Sequence, residues 1–147
     1  MSLVNVVTIR RRASIPTVPR FSMGEVGTVS DTTVRVWFNR PINSPALGYD
    51  AGVVINVDAS PATINSATRQ TNQALVHYVL SAAVTNGQAV TFQYTAASGD
   101  IENQLAVPEA LGNVAETALT NNVMTGMQKL DFSESTNSEY LFLLLLD

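Results

Sequence analysis

The sequence predicts an all-β fold of the sandwich class. Three observations carry this. Several short runs alternate apolar and polar residues at period two, the pattern of strands whose successive side chains point to opposite faces. Turn residues separate the runs at spacings of roughly eight to twelve residues. No stretch carries the 3.6-residue period of an amphipathic helix.

In chain order, residues 1–23 are expected to form an extended basic arm, 24–124 the sandwich, and 125–147 a C-terminal tail with a terminal strand. In the arm, Leu3 to Ile9 is β-prone, Arg10, Arg11 and Arg12 follow, and Pro16 and Pro19 hold the chain extended. The arm has no core of its own. It reads as a tail without fixed structure or as an arm that orders on a neighbour.

The compact part is expected to start near Gly24. Thr32 to Asn39 is a strand with Val34, Val36 and Phe38 on one face and Arg35, Trp37 and Asn39 on the other. Arginine is seldom buried without a partner, so the Arg35 face should point outward and Trp37 with it. A large aromatic there is either covered by the same chain or part of a contact surface. Asn43 to Gly52 is a turn-rich connection, and Val53, Ile55 and Val57 mark the next strand. Ser60-Pro61 reads as a turn, and Ile64 to Arg69 as a weaker strand.

Two runs centre the fold. Val76, Tyr78 and Leu80 face inward, opposite Leu75, His77 and Val79; Val90, Phe92 and Tyr94 face inward, opposite Thr91, Gln93 and Thr95. Asn86-Gly87 is a turn dipeptide between them. The connection from Ser81 to Gln88 is too long for a two-residue hairpin. It suits a chain crossing between sheets, and so argues against the alternative of an up-and-down barrel. Ala96 to Gly112 is loop, and Ala115 to Val123 is the last strand of the body.

The 147 residues leave room for one domain and some extra chain, and only 14% are charged, a low share that suits a surface covered by partners. Residues 1–24 hold four arginines and no acid; residues 25–147 hold four bases and twelve acids. A basic arm beside an acidic body favours docking on an acidic protein neighbour, including another copy, and argues against nucleic acid, which calls for a wider basic surface. There is no cysteine, hence no disulfide or thiol chemistry. The order of an apolar MSLVNVVTI before three arginines is the reverse of a secretory signal. Tyr140 to Leu146 is too short to cross a bilayer as a helix, which takes about 20 residues, so no membrane contact is expected.

TTVRVWFN, LVHYVLSAAVTNGQAVTFQYT and ALTNNV together resemble the immunoglobulin-like repeats of bacterial surface proteins, and less closely a fibronectin type III domain. The matching positions are Val34, Val36 and Phe38; Val76, Tyr78 and Leu80; Asn86, Gly87, Gln88, Val90, Phe92 and Tyr94; and Leu119 to Asn122. The resemblance implies an immunoglobulin-like β-sandwich, here with an extended arm and an apolar C-terminal strand. Its motifs concern packing and turns and carry no activity. A single such domain with a basic arm and an apolar tail also has the layout of phage structural proteins.

His77 has no second group beside it in the pattern to make a base pair for catalysis and reads as a plain strand histidine. Asp100, Glu102 and Asn103 match no EF-hand spacing and read as a solvated acidic loop rather than a calcium site. No G-x-S-x-G elbow or glycine-rich phosphate loop occurs. No enzyme, cofactor or metal is therefore expected. The expectation is a virion structural protein such as a capsid decoration, neck or tail component. It would bind other virion proteins or copies of itself through Arg10, Arg11, Arg12, Trp37, Leu141, Phe142, Leu143 and Leu144. The alternative is a surface- or carbohydrate-binding module of an adhesin, located outside the cell, with Trp37 and Tyr49 as stacking residues.

Overall fold

The computed structural model describes residues 17–124. These form eight strands: β1 (Phe21–Val26), β2 (Thr33–Phe38), β3 (Val53–Val57), β4 (Ser60–Pro61), β5 (Ile64–Arg69), β6 (Leu75–Leu80), β7 (Val90–Tyr94) and β8 (Val114–Asn121). One 3-10 turn, Ala96–Ser98, follows β7. The all-β expectation holds. The strands make one mixed sheet in the order β4-β3-β7-β8-β1-β2-β6-β5.

That sheet curls until its two halves face each other. β5, β6, β2 and β1 pair antiparallel along one half, and β8, β7, β3 and β4 along the other. The halves join at a parallel seam between β1 and β8, with Glu25 opposite Thr120 and Val26 opposite Asn121. The inward residues of both halves merge into one core that includes Val34, Val36, Phe38, Val76, Tyr78, Leu80, Val90, Phe92 and Tyr94. Every one of these was expected inside from its alternation. Across the core, the rings of Tyr78 and Phe92 lie 6.0 Å apart, and Phe21 stacks on Phe92 at 5.3 Å. The segment between β6 and β7 carries the chain from one half to the other, as its length suggested.

Loops plug the ends of this core. Ile42, Val84, Ile101 and Leu111 lie outside the strands and are almost fully buried. No period marks them, so alternation could not show them.

Three local features differ from the expectation. β1 opens at Phe21, ahead of Gly24, because a strand partner is available from Phe38 onward. The turn placed at Ser60-Pro61 sits instead at Asp58-Ala59, both with positive φ, and Ser60 and Pro61 pair with Val57 and Asn56. Proline is tolerated there because β4 is an edge strand and its nitrogen owes the sheet no donor. Leu75, expected outside, is buried at 7% exposure, since it stands opposite Trp37 on the same outer face.

The registers also orient the molecule. β1 and β8 run in the same direction, so the chain enters at the end where both strands begin and leaves at the opposite end. The segments 39–52, 70–74 and 95–113 lie at the arm end; 27–32, 58–59 and 81–89 lie at the exit end.

Candidate interaction surfaces

The outer face of β2 and β6 carries the polar residues predicted to point outward. Arg35 pairs with Glu25 across β1 and β2 at 2.8 Å. Its guanidinium also sits 4.4 Å from the centre of the Trp37 ring. Trp37 is thus half-buried, covered by Arg35 and flanked by Leu75. His77 stands opposite Arg35. Desolvation, helped by the Arg35 charge, lowers its pKa below the usual 6.5. In the sheet His77 lies between Arg35 and Thr68, so no carboxylate stands opposite it.

The arm end is better ordered than its sequence implied. Asp100 accepts hydrogen bonds from the backbone N–H of Ala46 at 2.7 Å and Leu47 at 3.2 Å. Asn103 is 1% exposed. Its Oδ1 accepts from the N–H of Leu105 and Glu109, and its Nδ2 donates to the carbonyl of Thr17 at 2.7 Å. The Thr17 hydroxyl donates to Glu109 at 2.9 Å. The 95–113 loop is therefore braced by its own acids and amides, and the solvated-loop expectation is corrected. Asp100 and Asn103 satisfy backbone groups that a buried loop would otherwise leave unpaired, while Glu102 and Glu109 accept from the side chains of Asn43, Thr17 and Asn103. Tyr94 lies beneath this loop, its hydroxyl accepting from the Ile101 N–H at 3.2 Å. Burial raises its pKa.

The same end holds a groove of about 410 Å³ lined by Val18, Pro19, Arg20 and Phe21 on one wall and Leu111 to Ala115 on the other. Its origin is the seam. Leu119 packs on Gly24, where a Cβ would come within 2.7 Å of its side chain, and this closes the seam. Toward the arm end β1 and β8 part, and their facing edges have no strand partner among the described residues.

The exit end is latched by asparagines. Asn86 donates to the carbonyl of Val123 at 2.6 Å, and Asn121 donates to the carbonyls of Thr85 and Gln88. Asn122 reaches Glu25 and Thr28. The TNNV sequence thus ties the end of β8 to two loops.

Of the contact residues expected from sequence, Trp37 alone is described. Arg10, Arg11, Arg12, Leu141, Phe142, Leu143 and Leu144 lie outside the described residues. Trp37 and Tyr49 do not form a joint stacking platform: Trp37 lies on the outer face, whereas Tyr49 packs against the core and its hydroxyl donates to the Asn43 carbonyl at 2.9 Å. Among the described residues, no group of three or more acids or histidines could hold a metal ion. No helix among them is long and apolar enough to cross a membrane.

No protein-family model and no curated protein matches the chain. Two solved structures do. In fold, the body is similar to part of a bacterial S-layer protein. The N-terminal part of the bacterial S-layer protein SbsC matches with a TM-score of 0.54 at 11% identity, over 69% of this chain and 23% of that one. The S-layer protein rSbsC(31-844) matches with a TM-score of 0.57 at 11% identity, over 73% of this chain and 14% of that one. The chain thus spans less than a quarter of either structure. At this identity the likeness concerns the fold. Neither neighbour is a virion protein.

Proposed function

We propose that this chain is a non-enzymatic structural module of a bacterial surface protein, an immunoglobulin-like domain that assembles with copies of itself outside the cell. The observation that carries the reading is the likeness of fold to two S-layer structures. The strand order supports the immunoglobulin-like description: two facing antiparallel halves, each of four strands, with the chain crossing between them. The low charged fraction, 14%, favours a surface largely covered by neighbours. The non-enzymatic part rests on the residues. His77 is set in a cation-flanked strand face, and at the arm end Asp100 is engaged with the backbone of Ala46 and Leu47 and Glu109 with the side chains of Thr17 and Asn103.

Two experiments test this reading. Antibody raised against the chain should label intact source cells; labelling confined to purified virus particles would return the chain to the virion class. The purified chain, raised in concentration and imaged by negative-stain electron microscopy, should form ordered sheets or filaments. A chain that stays monomeric at millimolar concentration sinks the self-assembly half.

A further inference from the structure

The groove at the arm end is an interrupted sheet. Within the described residues β1 and β8 pair only at Glu25–Val26 with Thr120–Asn121, and then diverge. Below the Leu119–Gly24 contact the two strand edges face each other across about 410 Å³ of space. The groove offers the exposed Val18 and the partly buried Phe21 and Val114, over a floor that includes the buried Leu111, next to backbone with no strand partner among the described residues. That combination recognises an extended, apolar peptide, through main-chain pairing and alternate side chains.

We propose that the occupant is Leu3–Ile9 of a second copy of this chain, inserted between β1 and β8. Three observations choose it. The segment LVNVVTI has no charge, five of its seven residues are Val, Ile or Thr, and apolar residues fall on both alternating faces, as a strand between two edges requires. The arm leaves the body at the mouth of the groove, since Thr17 precedes the wall residue Val18. Thr17 is anchored there by Asn103 and Glu109, and the self-assembly reading supplies the second copy as recipient.

Inserted antiparallel to both strands, the donated segment ends at the mouth. There its three arginines meet Glu109. Each copy gives its arm to one neighbour and receives an arm from another, so the contact is heterologous and propagates from copy to copy until it closes a ring or extends a filament.

This inference deepens the self-assembly reading and rests on it. The chain has no cysteine, so engineered thiols report the contact without background. The full chain carrying Ala115→Cys together with Val4→Cys, Val6→Cys or Thr8→Cys, in turn, is oxidised and run on a non-reducing gel. At least one pair should give a ladder of covalent multimers, while Val6→Cys with Val29→Cys, at the exit end, gives none. An intrachain link alone, seen by peptide mapping, would overturn the proposal in favour of an arm covering its own groove. Absence of any link would overturn it as well. Ala115→Lys, on an exposed position of the groove wall, should weaken self-association by at least tenfold in sedimentation velocity while leaving the circular dichroism spectrum unchanged. If the wild type associates and Ala115→Lys associates equally, the groove is wrong and self-assembly stands. If the wild type does not associate at all, both fail.

Discussion

Ala59 is an alanine where glycine would be at ease. It follows Asp58 in the two-residue turn joining β3 to β4, and both residues have positive φ, 49° and 63°. Asp58 has a reason to be there, since its carboxylate accepts from the Ala89 N–H and the Gln88 side chain, each at 2.9 Å. Ala59 is exposed. The left-handed conformation costs a non-glycine residue about 1–2 kcal/mol, whereas glycine's extra unfolded freedom costs about 0.5–1. Ala59→Gly should therefore stabilise the chain by about 0.5–1 kcal/mol, read from the urea midpoint. A destabilised variant would show that the turn is held by packing of the alanine methyl.

His77 gives the fold a modest pH dependence with a definite sign. Its folded pKa lies below 6.5, by desolvation first and the Arg35 charge second. The unfolded chain therefore binds the proton more readily. Stability is fully present above about pH 6.5, falls as pH drops toward the folded pKa, and stays reduced below it. Unfolding midpoints at pH 7 and pH 5 should differ less for His77→Gln than for the parent chain. An equal or larger difference in the variant would place the pH response elsewhere.

At the scale of elements, the inward faces of β2, β6 and β7 were legible because alternation is a property of the strand itself. The turn at Asp58-Ala59 was not, because neither residue carries the glycine or asparagine mark of a positive φ, and the nearby proline drew the reading two positions on. The 95–113 loop was misread for a different reason. Its acids and amides look solvated in sequence, yet Asn103 is buried because folding brings Thr17 and Glu109 to it from 86 and 6 residues away. Only long-range geometry could show that, and the groove between β1 and β8 was hidden likewise. Asn103→Ala should lose about 1–3 kcal/mol, by leaving buried backbone groups unpaired, and should loosen the Thr17 anchor. Faster amide exchange at Leu105 and Glu109 is the check; unchanged exchange and stability would mean that water replaces the amide.

For the whole molecule, the core among the described residues runs from Phe21 to Val123, so the body is expected to stand without its arm. Deleting residues 1–16, or changing Arg10, Arg11 and Arg12 together to serine, should leave the melting temperature within a few degrees. Both changes should weaken assembly, and salt should weaken the parent contact but scarcely affect the serine variant. A serine variant that assembles as tightly as the parent at low salt would make the arginines bystanders. A deletion that assembles normally would remove the arm from assembly altogether.

The direction of the chain through the body has a mechanical meaning. Tension applied between the two ends pulls the start of β1 one way and the end of β8 the other, and these neighbouring strands are parallel. Their ladder is therefore loaded in shear: its hydrogen bonds, such as Asn122 N–H to the Val26 carbonyl at 2.8 Å, must rupture together rather than open one after another. A short seam becomes the tensile clasp of the module. Pulled singly in an optical trap, the chain should yield in one abrupt step, at a force that falls when Asn122→Pro removes that bond.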